Sequence, residues 1–186
     1  MKKKLYHYIF CRLMGWKFEG SFDPKIKKSV IMVMPHTCNF DFFIGLFCRG
    51  IIDLEMNFVA KKELFVFPFG YYFKSIGGEP LDRSGNKNKV DAIVEIFNKR
   101  EVFRLAIAPE GTRSKVTDLK TGFYYIAHKA QVPIIPVAFD YGTKTIKIGS
   151  PITVSGNYDA DKDLILSHFI NVKGRFPERQ YVYNGL

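Results

Sequence analysis

One stretch of the chain, SVIMVMPHTCNFD at residues 29–41, decides the fold. Its first part, residues 29–34, is a short and nearly continuous apolar run, as expected of a strand buried on both faces of a parallel sheet. The pattern from Asn39 to Arg49 then predicts a helix. A strand that leads directly into a helix is the unit of α/β proteins, which gather their chemistry at the carboxyl ends of the strands. This stretch therefore predicts both the fold class and the place of the site.

The rest of the chain repeats this alternation. Further strands are predicted at residues 57–60, 79–81, 104–108, 133–139, 143–148 and 152–154. Further helices are predicted at residues 4–17, 87–99, 123–130 and 161–173. A chain of 186 residues is the size of one domain with one sizeable core. We therefore predict a single α/β domain with a mostly parallel central sheet flanked by helices, preceded by an N-terminal amphipathic helix.

The N-terminal helix has a mixed apolar and basic character. Apolar side chains recur at helical spacing, at Leu5, Tyr8, Ile9, Leu13 and Trp16. Basic side chains surround them, at Lys2, Lys3, Lys4, Arg12 and Lys17. This combination suits the headgroup zone of an acidic membrane, and an ordinary helix packed on the core fits it equally well. We expect residues 1–20 to associate with membrane, residues 21–174 to form the main domain, and residues 175–186 to be a tail that frays.

Charge and cysteine content limit the classes of partner and compartment. The formal charge of +10 attracts anions, which include nucleic acid, acidic lipid headgroups and phosphorylated substrates. The chain has three cysteines, Cys11, Cys38 and Cys48, which is an odd number and includes no CxxC pair. We therefore expect no disulfide framework and a reducing compartment. The longest apolar runs fall short of the roughly 18 residues of a spanning helix, and no secretory signal is visible. The sequence thus predicts a protein that does not cross a bilayer but can lie on one.

His36 and Asp41 are the candidate proton-handling pair. On one regular helix, residues five apart point about 140° away from each other. The pair therefore works only if His36 lies in the turn and Asp41 in the first helical turn, with Asn39 as the N-cap. Asp41 would then orient the imidazole, whose other nitrogen takes a proton from a hydroxyl. Three other interpretations stay open: a structural pair, two metal ligands without a third partner, and Cys38 as a nucleophile with His36 as its base.

Three further segments after predicted strands offer groups for an anionic ligand. In the turn at residues 109–114 (PEGTRS), glycine permits a tight backbone and Arg113 can pair with a phosphate, while Glu110 can accept from substrate hydroxyls. Residues 77–84 (GGEPLDRS) combine a glycine turn with a cation, and Lys61 follows the strand at 57–60. The alternative is a set of solvated surface charges, in which an Arg–Glu pair contributes little.

Four segments in order resemble the PlsC-like glycerolipid acyltransferases, the lysophosphatidic acid acyltransferase superfamily. Residues 36–41 match the family's His-x4-Asp block, and residues 77–83 resemble the second block, whose arginine binds the acceptor phosphate. Residues 109–114 match the third block and residues 132–137 the fourth. Pro35 stands where many members have Asn or Ser, and Ala108 where the third block often begins with Phe. The form resembles a compact bacterial branch of the family.

The resemblance implies direct transfer of a fatty acyl group from a thioester, acyl-CoA or acyl-carrier protein, to a hydroxyl. The acceptor would be a lysophospholipid or glycerol-phosphate compound, with 1-acylglycerol-3-phosphate as one example, in phospholipid biosynthesis. His36 would be the general base and Asp41 would orient it. The acceptor headgroup would be bound by six residues: Arg83, Glu110, Gly111, Thr112, Arg113 and Lys61. No cofactor and no metal are expected, and the enzyme would lie in the cytoplasm, peripherally on the inner face of the cell membrane.

Two rival functions remain. One is an acyltransferase for a different membrane lipid or small amphiphile. The other is a basic lipid- or nucleic-acid-binding module without catalysis. The predicted strands carry few aromatic residues and no familiar nucleic-acid motif occurs, so we expect no nucleic-acid partner.

Overall fold

A mostly parallel sheet forms the centre of the protein. The computed structural model describes residues 2–81 and 88–183. Within them, seven strands are β1 (Lys17–Glu19), β2 (Lys28–Met34), β3 (Phe58–Lys61), β4 (Gly78–Leu81), β5 (Phe103–Ile107), β6 (Ile134–Asp140) and β7 (Thr145–Ile148). Five of them form a sheet in the order β1-β7-β6-β2-β5, and β3 pairs with β4. A parallel bridge between Asn57 and Leu105 places β3 beside β5. The α/β fold predicted from the sequence is confirmed.

Strand β2 lies at the centre because its residues are apolar on both faces. It pairs in parallel with β5 on one side and with β6 on the other. Val30 and Met32 pack into the core on one face, and Ile31 packs into the core on the other, as the two-residue period of a strand requires. Strand β7 is antiparallel to β6 and parallel to β1, so the direction of the sheet reverses only at this edge.

Helices cover both faces of the sheet. They are α1 (Lys2–His7), α2 (Phe40–Ile52), α3 (Phe69–Ser75), α4 (Lys89–Lys99), α5 (Gly122–Ala130) and α6 (Tyr158–Leu166). Asn88 begins α4 by accepting a hydrogen bond from Val90 N at 3.1 Å, and Asn157 begins α6 in the same way. Among the described residues, no helix is long and apolar enough to span a bilayer.

The N-terminal segment packs on α2 and the sheet through Phe10, which lies outside the predicted apolar face, and through Trp16, which belongs to it. A π-helical stretch, Tyr8–Leu13, follows α1, and Phe10 is its fully buried residue. Phe10 stacks on Trp16 and on Phe47, and this aromatic group joins the core between α2 and the sheet. Leu5, Tyr8 and Leu13, which share the predicted apolar face, are exposed instead. Strand β1 also lies within residues 1–20, so the central sheet begins inside the segment predicted as a membrane helix.

One predicted element near the C-terminus is wrong, and another has different bounds. Residues 152–154 form no strand, and Ile152 makes only an isolated bridge to Ile134. The last helix ends at Leu166 and continues only as a 3-10 turn, Ser167–Phe169, rather than to residue 173. Part of the tail is docked, because Phe176 N donates to Thr37 Oγ1 at 3.3 Å, directly beside the candidate site.

Candidate active site

His36 and Asp41 form a hydrogen-bonded pair at the carboxyl end of β2. Pro35 directly follows the last residue of the strand, His36 lies in the following turn, and Asp41 lies in the first turn of α2. His36 Nδ1 and Asp41 Oδ2 are 3.0 Å apart. Asn39 occupies the N-cap position, but its side chain makes no capping hydrogen bond. The carboxylate of Asp41 instead accepts the hydrogen bonds of the backbone N–H groups in the turn. This places its Oδ2 close to the imidazole of His36.

The Asp41 carboxylate is the best-supported group of the site. Its Oδ2 accepts hydrogen bonds from the backbone N–H groups of Thr37 at 2.9 Å and Cys38 at 3.0 Å, as well as contacting His36. Its Oδ1 accepts from Tyr141 Oη at 2.6 Å and from Cys38 Sγ at 3.2 Å. Burial opposes ionisation of Asp41, but the hydrogen bonds from His36, Tyr141 and Cys38 outweigh it and keep the pKa of this carboxyl below its usual range.

This arrangement determines which imidazole nitrogen can act as a base. An ionised carboxylate only accepts hydrogen bonds, so His36 Nδ1 carries the proton that faces Asp41. In the neutral ring, Nε2 then keeps its lone pair and can take a proton from a hydroxyl. When it does so, Asp41 stabilises the resulting imidazolium. The side chain of His36 is 26% exposed, so a substrate can reach it.

Tyr141 is the functional candidate that sequence reasoning missed. It follows the last residue of β6, one strand away from β2, and therefore lies at the same edge of the sheet as His36. Burial, and then the hydrogen bond to Asp41, raise the pKa of Tyr141, so its hydroxyl stays protonated and remains a donor. Its ring packs edge-on against Trp16, with centroids 4.9 Å apart. The available signal was its position directly after a buried strand.

Glu110 lies beneath the His36 turn. It follows β5, which neighbours β2, and its Oε1 accepts a hydrogen bond from His36 N at 2.9 Å. The residue is 3% exposed, and burial raises the pKa of its carboxyl. Its Oε2 is buried without a hydrogen-bond partner among residues 2–81 and 88–183. The structure thus ties Glu110 to the backbone of the turn that carries His36, whereas the sequence had suggested contact with substrate hydroxyls.

Residues 111–114 of the PEGTRS turn are exposed to solvent. Gly111 has φ +62, a left-handed conformation that suits glycine, and the side chain of Lys120 lies against it. Thr112 Oγ1 accepts from Ser114 N at 3.3 Å. Arg113 is exposed and, together with His36, borders the cavity described next. Lys120 is a second cation at this turn, which the sequence analysis did not single out.

Of the other two residues predicted to bind substrate, the structure describes Lys61 but not Arg83. Lys61 ends β3 and is exposed at the same edge of the sheet, but it does not border the cavity. Strand β4 ends at Leu81, and Arg83 falls outside the described residues. The structure therefore brings together His36, Asp41, Glu110 and Arg113.

An apolar cavity of about 540 Å³ opens beside the dyad. It lies between α2 and the sheet, with His36, Asp41 and Arg113 among its lining residues. Its apolar lining includes Ile31, Val33, Phe42, Leu46, Ile52 and Phe58. The lining positions on α2 extend from Asp41 to Ile52, which at 1.5 Å per residue corresponds to a length of about 16 Å. A long, flexible apolar chain fits such a space.

Two rival chemistries find little support in this geometry. The thiol of Cys38 contacts Asp41 Oδ1 at 3.2 Å and Tyr141 Oη at 3.7 Å rather than His36. Within the described residues, no group of three or more His, Cys, Asp or Glu side chains is placed to hold a metal ion. With Nδ1 bonded to Asp41, Nε2 of His36 can accept a proton.

Comparison with known proteins identifies the family. The sequence profile of the family described as Acyltransferase matches residues 17–140, well over half of the chain. A 1-acyl-sn-glycerol-3-phosphate acyltransferase of Cocos nucifera is 29% identical over 147 residues, which are 72% of this chain and 46% of that protein. The protein of the same name from Escherichia coli K12 is 31% identical over 132 residues, which are 68% of this chain and 53% of that protein. The chain thus spans about half the length of these curated relatives.

A solved structure shares the fold. It is the crystal structure of the 1-acyl-sn-glycerophosphate (LPA) acyltransferase PlsC from Thermotoga maritima, with a TM-score of 0.56 over 86% of this chain and 72% of that chain, at 22% identity. Fold and dyad together define a PlsC-like α/β protein, as the four sequence blocks predicted. The chain belongs to the Acyltransferase family.

Proposed function

We propose that this protein transfers a fatty acyl group from a thioester to the hydroxyl of a lysophospholipid, with 1-acyl-sn-glycerol-3-phosphate as the first acceptor to test. The observation that carries the proposal is an oriented base, His36 on Asp41, at a cavity that suits an acyl chain. The names of the relatives from Cocos nucifera and Escherichia coli support the choice of acceptor.

The reaction needs only groups that the site contains. The acyl chain lies in the cavity beside α2, which brings the thioester carbonyl next to His36. His36 Nε2 takes the proton of the acceptor hydroxyl as its oxygen bonds to the carbonyl carbon, and the carbon–sulfur bond then breaks. The proton passes to the departing thiolate, so an ester and a thiol are formed. General-base catalysis of this kind contributes about 10²–10⁴-fold, and the positioning of both substrates contributes much of the rest.

The acceptor phosphate is assigned to the cations at the edge of the sheet. Arg113 borders the cavity and is exposed, so its guanidinium can pair with a phosphate in a bidentate manner. Arg83, Lys61 and Thr112 complete the proposed headgroup site. Glu110 contributes by holding the backbone of His36, and Gly111 by allowing the turn to close.

The proposed location is the inner face of the cell membrane, with the protein bound peripherally. The net charge of +10 attracts anionic lipid, and both the acceptor and the product reside in the bilayer. Acyl-CoA and acyl-carrier protein are both proposed donors, because a thioester is the only feature that the chemistry requires.

Thiol release from acyl-CoA by the purified protein, measured with and without lysophosphatidate, tests the reaction. His36→Ala should lower the rate by about 10²-fold or more, because the general base is removed. His128→Ala is the matched control, since His128 lies on α5, on the opposite face of the sheet from α2. Transfer by His36→Ala at the wild-type rate would rule out the mechanism. Binding of lipid without thiol release would favour the non-catalytic alternative.

Arg113→Ala tests the headgroup site. The acceptor KM should rise about 10-fold or more while the KM of the donor stays the same, because a charge-assisted contact to the phosphate is lost. Lys162→Ala removes a partly exposed cation on α6, paired with Asp159 on the same helix, and serves as the control. An unchanged acceptor KM in Arg113→Ala would remove Arg113 from the phosphate site.

A further inference from the structure

The connection between β3 and β4 exposes an unusual amount of apolar surface. It consists of a 3-10 helix, Lys62–Phe65, followed by α3. Six large side chains between residues 64 and 72 are each 45% to 84% exposed: Leu64, Val66, Phe67, Phe69, Tyr71 and Tyr72. We call residues 64–72 the aromatic segment. Single exposed apolar residues are normal in soluble proteins, but a contiguous group of this kind marks an interaction surface.

The aromatic segment is folded, and its inner side is packed. Gly70 is buried, and a Cβ at this position would lie 2.2 Å from Phe65 O, so the two turns touch through their backbones. Gly70 N donates to Val66 O at 2.8 Å, and the rings of Phe65 and Phe73 pack with centroids 6.0 Å apart. The exposed side chains are therefore already held outwards, and little ordering is needed when they bind.

The charges beside the aromatic segment indicate the kind of surface that it binds. Lys61, Lys62 and Glu63 precede the segment and Lys74 follows it, and all four are exposed, so the flanks carry a net positive charge. Tyrosine and phenylalanine between exposed lysines suit the boundary between headgroups and acyl chains in an anionic bilayer. A second copy of this chain would bring the same positive charges to the contact, on a protein whose net charge is already +10. The composition thus favours lipid over self-association.

The aromatic segment is also continuous with the cavity. Phe58, in the strand before it, and Ile76, directly after α3, both line the cavity. Phe42, another lining residue, packs edge-on against Phe58 with centroids 5.5 Å apart. Contact between the aromatic segment and a bilayer would therefore place the cavity next to the layer that holds acyl chains.

We propose that the aromatic segment inserts into the interface of an anionic bilayer and holds the cavity against the lipid. The proposal rests on the proposed acyl transfer for its purpose, and on the exposed side chains for its physical basis. Under this proposal residues 64–72 insert into the bilayer, and not the N-terminal helix alone, because Phe10 of that helix is buried in the core.

Vesicle flotation measures the insertion. The full chain is mixed with phosphatidylcholine vesicles that contain a quarter phosphatidylglycerol, and the partition coefficient is determined. Phe67→Ser and Tyr71→Ser should each lower it by about 10-fold or more, because each removes a large apolar side chain from the interface. Leu164→Ser removes a side chain that is 62% exposed on α6 and should leave partitioning unchanged. Wild-type partitioning by both aromatic-segment variants would overturn the proposal.

A tryptophan reporter measures the depth of insertion. The native Trp16 is 4% exposed, so lipid-borne quenchers do not reach it. Phe67→Trp should be quenched by lipids brominated on their acyl chains, whereas Leu164→Trp should not. Absence of quenching at position 67 would overturn the proposal. A dimer that forms without vesicles and is broken by Phe67→Ser would also overturn it, in favour of a second copy as the occupant.

A pair of activity assays separates this proposal from the proposed function. With short-chain substrates dispersed in water, Phe67→Ser should keep the wild-type rate, because residue 67 does not line the cavity. With the acceptor in vesicles, the same variant should lose about 10-fold. His36→Ala should fail in both assays. If the wild-type protein transfers no acyl group in either assay, the proposed function fails, while flotation and quenching still decide whether the aromatic segment inserts.

Discussion

Substitution of Gly45 tests whether the cavity holds the acyl chain. Gly45 lies on α2 and lines the cavity, and a Cβ added there meets no atom within 4 Å. It follows Asp41 by one helical turn, which is about 6 Å along the axis. A side chain at position 45 would therefore project into the cavity one turn beyond the dyad. Gly45→Leu should block the cavity at that depth without disturbing its neighbours.

The expected size of the effect follows from the apolar contact that is lost. A leucine side chain occupies the space of about four methylene groups, each of which contributes about 0.8 kcal/mol when buried. Long-chain donors should thus lose about 3 kcal/mol, or about 10²-fold in kcat/KM. Short donors that end before Gly45 should keep their wild-type kcat/KM. The fold should become more stable, because replacing a glycine within a helix contributes up to about 1 kcal/mol.

The assay is thiol release with a series of acyl-CoA donors of increasing chain length, together with a thermal unfolding curve. Gly122→Leu is the matched control, since Gly122 is also helical and a Cβ added to it would likewise have no atom within 4 Å. It does not line the cavity, and its chain-length profile should equal that of the wild type. An equal loss for all chain lengths in Gly45→Leu, or no loss for the longest, would refute the acyl-chain assignment.

Two further predictions concern the hydrogen bonds that hold Asp41 in the dyad. Tyr141→Phe removes the 2.6 Å hydrogen bond to Asp41 Oδ1, so kcat should fall about 10-fold with both KM values unchanged. That bond helps to keep the pKa of Asp41 low, so the acidic limb of the pH–rate profile should also move to higher pH in Tyr141→Phe. If the limb does not move, Tyr141 has only a structural role. Asp41→Asn tests the same carboxylate through stability. A lowered pKa in the folded state stabilises the protein above the unfolded-state value of about 3.9, and this contribution is lost as the pH falls through the folded-state pKa. The urea midpoint of the wild type should therefore fall more steeply in acid than that of Asp41→Asn, and parallel curves would contradict the assigned pKa direction.

The helices and strands that sequence patterns predicted best are those with strong local signals. Strand β2 follows from its apolar run, and α4 from its periodic apolar face. The residues at 152–154 have the composition of a strand, but they make only one bridge, to Ile134, and so lack a ladder. The aromatic segment gave no periodic signal, because its apolar side chains face solvent on a short helix and a 3-10 turn.

The sequence by itself determined the dyad, because His36 and Asp41 are joined by a single turn whose geometry is local. It also determined the family, since each of the four blocks is a continuous segment of the chain. The tertiary structure decided the partners of that dyad. Glu110 reaches His36 only because β5 lies beside β2, and Tyr141 reaches Asp41 only because β6 lies on the other side. Strand order depends on contacts between residues some 70 to 100 positions apart, which no local pattern records.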